Sequence, residues 1–287
     1  MYTLNSIIND DSDPPEPIID NGILLDGTIL LIVGPAKSKK TFLTQNIGLS
    51  IASGIDFAGF KIPKPKKVFY YLAEGGYYPN RSRLKKMAKH ISLDSNDNFM
   101  IDFPPYMPVN HTEVYNDVYK EIEESNAEVV IFDPLIRFHD IDENSANGIS
   151  EVFSKIRQLI DKLGISVILV HHTGKVQSRG GRGSSAIIGE YDSCITINRS
   201  KADYIHLSYN MRHVETPPSN RIRFNSDTLW FERENSIIEL LENSGGSLPK
   251  GDFIKRYDVP QSTAYKHISK AVREGRIKEE EGVLELV

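Results

Sequence analysis

Along the first two-thirds of the chain, short runs that are apolar at nearly every position alternate with segments in which apolar residues recur every three or four positions. "GTILLIVG" leads into "KKTFLTQNIGLSIASG", and "KVFYYLAE", "EVVIFDP" and "SVILVHH" are spaced by "VYNDVYKEIEES" and "ISEVFSKIRQLIDKLG". A run with no polar face suits a strand covered on both sides, so the alternation predicts βαβ units and an α/β domain with a mostly parallel sheet and flanking helices. After Asp192 the runs become "CITINRS", "YIHLSYNMR", "RIRFNS" and "LWFERE", separated by turns. These predict antiparallel strands extending one edge of the sheet. From about Glu234 the pattern changes again, to three short helical segments and the closing "KEEEGVLELV", which predict a small separate module. The organisation read from the pattern is a flexible leader over 1–20, an α/β domain over 21–232 and a helical module over 233–287.

Composition adds limits. The chain has 287 residues, 39% of them hydrophobic, enough for one large core with a small satellite. The net charge of −5 excludes a globally basic nucleic-acid binder, so any such contact must come from local clusters of Lys and Arg. One cysteine, Cys194, permits no internal disulfide and reads as a small buried strand residue. The opening "MYTLNSIINDDSDPPEP" lacks the basic start and apolar run of a signal peptide, and no later segment reaches membrane-spanning length, so a cytoplasmic protein is predicted.

The chemistry lies at the ends of the apolar runs. "TILLIV" is followed by the loop Gly34, Pro35, Ala36, Lys37, Ser38, Lys39, Lys40, Thr41 and then Phe42; "VFYYLA" is followed by Glu74; "VVIF" by Asp133; and "SVILV" by His171 and His172. Ligands of an open parallel sheet bind outside the carboxyl ends of its strands, so these groups converge on one edge. The loop reads as a phosphate-binding GxxxxGK[ST] in which Lys39 replaces the second glycine. Its N–H groups can cradle the phosphates of ATP, Lys40 can neutralise β and γ oxygens, and the Thr41 hydroxyl can ligate Mg²⁺. Asp133 suits the Mg²⁺ through water, and Glu74 suits polarisation of the attacking water. Taken singly, the aspartate reads equally as a turn former, the glutamate as a solvated loop residue and the histidines as space-fillers. Their convergence on one edge favours a site. Lys39 sits either in a left-handed conformation, at a cost of about 1–2 kcal/mol, or in the first helical turn at less. Either way it adds a cation, and Lys37 and Lys39 can supplement phosphate neutralisation.

Two segments carry local charge. "TGKVQSRGGRGSS" is glycine-rich and holds Lys175, Arg179 and Arg182 without an acidic residue, which suits a loop tracking a phosphate backbone and equally a solvated basic loop. "LPKGDFIKRYDVPQSTAYKHISKAVREGRI" fits helix, turn, helix. Its turn is predicted near Asp258 to Pro260 with Ser262 as cap, and Tyr265 and Lys266 lie exposed near the start of the second helix. The acidic "IKEEEGVLEL" after it argues against a strong phosphate grip and leaves a protein-interaction or ring-packing role open.

The order of these pieces, above all "RFHDIDENSA" and "RGGRGSSA", resembles RecA-like ATPases of the plasmid RepA hexameric helicase type, relatives of the DnaB replicative helicases, over about Asn21 to Phe231. The tail resembles winged helix-turn-helix modules. The resemblance implies a homo-oligomeric ring, a hexamer, with ATP and Mg²⁺ between subunits and single-stranded DNA in the channel. It implies that Lys40 and Thr41 are the phosphate-binding pair, Glu74 the catalytic glutamate, Asp133 the Walker B aspartate and His172 the polar sensor. Arg212 in "YNMRHVE" matches the arginine that a neighbour inserts toward the γ-phosphate, with Arg182 sharing that role, while Asn210 stands where such helicases often carry lysine. Lys39 is the departure from the pattern. The implied function is an ATP-dependent DNA translocase or helicase for replication of a plasmid, phage or other mobile element; the alternative is a nucleotide-switched DNA-binding regulator or loader that does not unwind.

Overall fold

A computed structural model describes residues 2–143, 145–172, 187, 189–199, 204–233, 237–242, 244–257 and 261–287. The chain divides into two compact units, Met1–Glu232 and Arg233–Val287.

In the first unit, the central strands are β1 (Ile29–Gly34), β2 (Val68–Leu72), β4 (Val129–Asp133) and β5 (Ser166–His172), with β3 (Phe99–Asp102) on one margin and β6 (Ser193–Arg199), β7 (Tyr204–Met211), β8 (Asn220–Asn225) and β9 (Trp230–Arg233) on the other. The spatial order is β3-β2-β4-β5-β1-β6-β7-β8-β9. The strands from β3 through β1 run parallel, and β6 also pairs parallel with β1, Leu30 facing Ser193. The antiparallel extension therefore starts one strand later than the sequence predicts, at β7. β6 is buried at Ser193, Cys194, Ile195 and Ile197, whereas β7 and β8 bury alternate positions, Ile205 and Leu207, then Ile222 and Phe224.

The sheet separates two apolar cores, and strand alternation assigns each residue to one of them. Leu30, Ile32, Tyr70, Leu72, Ile131 and Ile168 face helix α2 (Lys40–Ser53) and helix α3 (Tyr77–His90). Leu31, Tyr71, Phe132 and Leu169 face α4 (Thr112–Ser125) and α5 (Ala146–Leu163). α2 is buried nearly all round, whereas α4 buries only the stripe Tyr115, Val118, Ile122. α3 and β3 are absent from the sequence reading. Asn80 and Met87 are the only fully buried residues of α3, and β3 is a half-buried four-residue margin, so neither shows a clear apolar period. The leader carries a short exposed helix α1 (Leu4–Ile8), but it is not loose to its end: Ile18 and Ile19 are core residues.

The second unit holds α6 (Ile237–Glu242), β10 (Ser247–Pro249), α7 (Lys250–Arg256), α8 (Gln261–Arg273), β11 (Ile277–Glu280) and β12 (Val283–Leu286), with antiparallel strand order β10-β12-β11. Its own core is built on Leu241, Phe253, Ile268 and Leu284. α8 begins at Gln261, which places Ser262 within its first turn and not at the cap; the predicted turn residues 258–260 lie outside the described residues.

Candidate functional site

β1 ends at Gly34, where a Cβ would come within 3.0 Å of the Ile197 carbonyl on β6 and 3.0 Å of Ser38 Oγ, so the strand exit is closed to larger residues. The loop then turns through two lysines of positive φ, Lys37 (61°) and Lys39 (67°). Lys39 occupies the N-cap of α2 in the left-handed region, which settles the conformational question its sequence position poses. Its ammonium lies 4.0 Å from the centroid of the Phe224 ring on β8. A cation–π contact of about 0.5–1 kcal/mol offsets part of the backbone strain. Phe42 packs edge-on against the same ring at 5.1 Å. Lys40 is 3% exposed and donates to the carbonyls of Gly34 and Pro35, at 2.8 Å each. Burial lowers its ammonium to about 8, with Asp133 and Glu74 drawing it partly back. Ser38 Oγ is buried and, among the described residues, has no hydrogen-bond partner. A cation folded back on its loop, an orphaned hydroxyl and a helix amino end are a donor set that fits a polyphosphate.

Three acceptors face this loop from the neighbouring strands. Asp133, 1% exposed at the end of β4, accepts from the Tyr70 hydroxyl at 2.6 Å, and the Thr41 hydroxyl lies near enough to favour its charged form. Burial pushes its carboxyl up to about 6 despite those two neighbours. Glu74 follows β2 by two residues, half-exposed, with Arg137 Nε 4.0 Å away. It is held through its backbone: the buried Asn80 amide donates to the Glu74 carbonyl at 3.0 Å and the Gly76 carbonyl at 2.8 Å, and accepts from Gln45 of α2 at 3.2 Å. Gly75 and Gly76 supply the positive φ that the turn needs. His172 pairs with Gly34 across β5 and β1 and has the strand parity of Ile168, on the α2 face. Burial, then Lys40, lowers its imidazole below the usual range. His171 has the opposite parity and meets Glu143 at 3.7 Å. Tyr70 and Asn80 escaped the sequence reading: a tyrosine inside an apolar run and an asparagine inside a basic helix carry no signal until the strands and helices are placed.

The AAA domain family is matched over residues 4–178, more than half of the chain. The chain belongs to that family. A search of curated proteins returns no match. Among solved structures, this AAA domain protein is similar to the RadB recombinase (18% identity, TM-score 0.54, 72% of this chain and 91% of that one). A DnaB-like replicative helicase, solved for its interactions with primase, matches at 14% identity and TM-score 0.56 over 72% of this chain, which spans 57% of the helicase chain. At these identities the likeness is one of fold, and the fold is that of a RecA-like P-loop ATPase. Among the described residues, no helix is long and apolar enough to cross a membrane.

The remaining sites of this AAA domain protein fall elsewhere. Arg212 follows β7 at the opposite edge of the sheet from the loop: Met211 faces Ser193, which faces Leu30, four residues before Gly34. Its guanidinium donates to the Gly189 carbonyl at 2.6 Å and lies 3.7 Å from Asp192. Asp192 is also held by Arg157 at 2.7 Å and by the Ile29 N–H at 2.8 Å. Lys175, Arg179 and Arg182 lie outside the described residues. Tyr265 and Lys266 are exposed on α8, with the Lys250 ammonium 5.4 Å from the Tyr265 ring.

The buried Asp133 has a measurable consequence. Its folded pKa is raised, so the stability it contributes is present below the unfolded value of 3.8 and is lost as pH rises through about 6. Asp133→Asn keeps an acceptor for Tyr70 without the charge. The nucleotide-free variant should therefore be more stable than the parent at pH 8 by about 1–3 kcal/mol, with the gap closing below pH 4. Denaturant melts at the two pH values measure it; an Asn variant less stable at pH 8 contradicts the assignment.

Proposed function

We propose that the chain is an ATP-dependent DNA translocase or helicase that works as a ring, a hexamer of identical subunits, and serves replication of a plasmid, phage or other mobile element. The observation that carries this reading is the placement of Lys40, the Thr41–Asp133 pair and Glu74 on one face at the carboxyl edge of the sheet, with Arg212 at the opposite edge. A head-to-tail contact sets unlike surfaces of two subunits together, so one subunit's Arg212 can reach its neighbour's phosphates.

In this reading the residues Gly34 to Phe42 hold the nucleotide. Lys40 exchanges its two carbonyl partners for β and γ oxygens, whose negative charge favours its protonated form. Thr41 and Asp133 would hold Mg²⁺, which would supply charge neutralisation at the phosphates. Glu74 orients and deprotonates the attacking water, and His172, next to Gly34, reports the state of the γ-phosphate to the loop after β5. That loop, through Lys175, Arg179 and Arg182, follows single-stranded DNA in the channel. The second unit has the element order of a winged helix-turn-helix, in which α8 presents Tyr265 and Lys266 to duplex DNA. The similar folds of a recombinase and a replicative helicase support the assignment as precedents of architecture.

The deciding measurement is ATP turnover with and without single-stranded DNA, together with displacement of a labelled strand from a forked duplex. DNA-stimulated turnover with displacement supports the reading. Stimulated turnover without displacement points to a nucleotide-switched loader or regulator, and absence of turnover refutes both enzymatic assignments.

A further inference from the structure

α3 carries a basic face that the ATP site does not use. Between Gly75 and Leu93 the sequence has five Lys or Arg residues and no Asp or Glu, in a chain whose net charge is −5. The helix turns Asn80 and Met87 inward and spends Arg83 on Phe42 (4.7 Å) and Asn80. The opposite side is exposed and repeats at four-residue spacing: Tyr77, Arg81, Lys85 and Lys89, flanked by Tyr78 and Lys86. Among the described residues none of these four cations has a carboxylate within 4.0 Å.

The aromatic end is as unusual as the charge. Tyr77 and Tyr78 are 54% and 69% exposed, and both rings lie beside the Arg81 guanidinium, at 5.7 and 5.1 Å. Lys85 and Lys89 continue the stripe along an open groove of about 440 Å³, whose far end is lined by Ser92 and Asp94. Cations about 6 Å apart along a helix match the repeat of a phosphate backbone, and exposed tyrosines beside an arginine form a platform on which unpaired bases stack. An acidic peptide would use the charge but not the rings, and a duplex hides its base faces. The two features together select a single strand.

We propose that the exposed face of α3 is a second binding surface for single-stranded nucleic acid, separate from the loop after β5, and that occupancy of its amino end positions Glu74. Tyr77 is three residues from Glu74, and Asn80, one residue before Arg81, clamps the Glu74 and Gly76 carbonyls. A strand seated on Tyr77 and Arg81 thus acts on the turn that carries the water-polarising carboxylate. This rests on the ATPase reading above and adds the route by which nucleic acid stimulates turnover.

The test uses the full chain, fluorescein-labelled oligothymidylate and fluorescence anisotropy over a salt series. Lys85→Glu/Lys89→Glu should weaken binding about tenfold or more and reduce the salt slope by about 1.4, since each phosphate contact with a single strand contributes about 0.7. Tyr77→Ala/Tyr78→Ala should weaken binding with little change in that slope. In both, unstimulated turnover should match the parent while stimulation by the oligonucleotide falls. Lys85→Gln/Lys89→Gln, a milder change checked by its melting temperature, should show the same direction. Unchanged affinity and slope in the charge variants, with binding lost only in Lys175→Ala/Arg179→Ala, overturns the α3 surface and leaves the ATPase reading standing. A parent chain that binds no oligothymidylate overturns the α3 surface and the translocase assignment, while the ATPase assignment is decided by turnover. Charge variants that bind the oligonucleotide normally but lose an acidic peptide such as "NDDSDPPEP" assign the face to protein and also overturn the proposal.

Discussion

Arg212→Ala is expected to bind ATP nearly as the parent does and to hydrolyse it about 10³–10⁵-fold more slowly, because an arginine supplied across a subunit boundary meets charge that develops only in the transition state. The fold should survive the change. Asp192, the carboxylate that Arg212 approaches, keeps Arg157, His213 and the Ile29 N–H. Although burial alone would raise the Asp192 carboxyl, those partners hold it below the ordinary range, so it stays ionised and paired. Within one chain Arg212 stands at the wrong edge of the sheet to reach the loop after β1. Mixing therefore separates the two arrangements. Arg212→Ala subunits retain Glu74, and Glu74→Gln subunits retain Arg212, so in randomly mixed rings about a quarter of the sites should combine an intact Glu74 with an intact neighbouring arginine. Turnover should reappear in the mixture although each variant alone is inactive. If demonstrably mixed oligomers stay inactive, Arg212 does not act in trans, and the ring mechanism loses its support.

Lys40→Ala is expected to lower turnover by at least about 10²–10³ and to weaken nucleotide binding, since it removes the loop cation whose ammonium points back into the cradle, where that of Lys39 meets the Phe224 ring. Lys39→Gly, one residue away, should leave turnover intact or improve it. Relief of a left-handed lysine is worth about 1–2 kcal/mol, loss of the Phe224 contact costs about 0.5–1, and the added backbone freedom of glycine costs a similar amount. The terms nearly cancel, so melting temperature should move little. Binding of a fluorescent ATP analogue and steady-state turnover of the two variants check this. A parent chain that is inactive and is rescued by Lys39→Gly would show that the natural loop no longer works.

The contrast between these two lysines shows what could be read in advance. The pattern of apolar runs predicts the parallel core strands β1, β2, β4 and β5 and the helices α2, α4 and α5, because burial on both faces or along one stripe leaves a period in the sequence. The rule that ligands gather at carboxyl ends then places Lys40, Thr41, Glu74 and Asp133 together without coordinates. The same reading misses α3, whose apolar period is too sparse, and with it both the basic face and the Asn80 clamp. It also gives no sign of the contact between Lys39 and Phe224, because nothing local to "GPAKSKKT" announces a ring on a strand nearly two hundred residues later.

The sequence by itself determined the fold class and the chemistry available at one edge of the sheet, since both follow from local periodicity and from which polar residue ends each apolar run. The tertiary structure decided how those groups stand before nucleotide binds. Desolvation and long-range neighbours fix those states: Tyr70 from β2 holds Asp133, Phe224 from β8 takes the Lys39 cation, and Asn80 from α3 fastens the Glu74 turn. Each is a contact between elements distant in the chain, and burial raises the Asp133 carboxyl and lowers the Lys40 ammonium only once the sheet and α2 have excluded water around them.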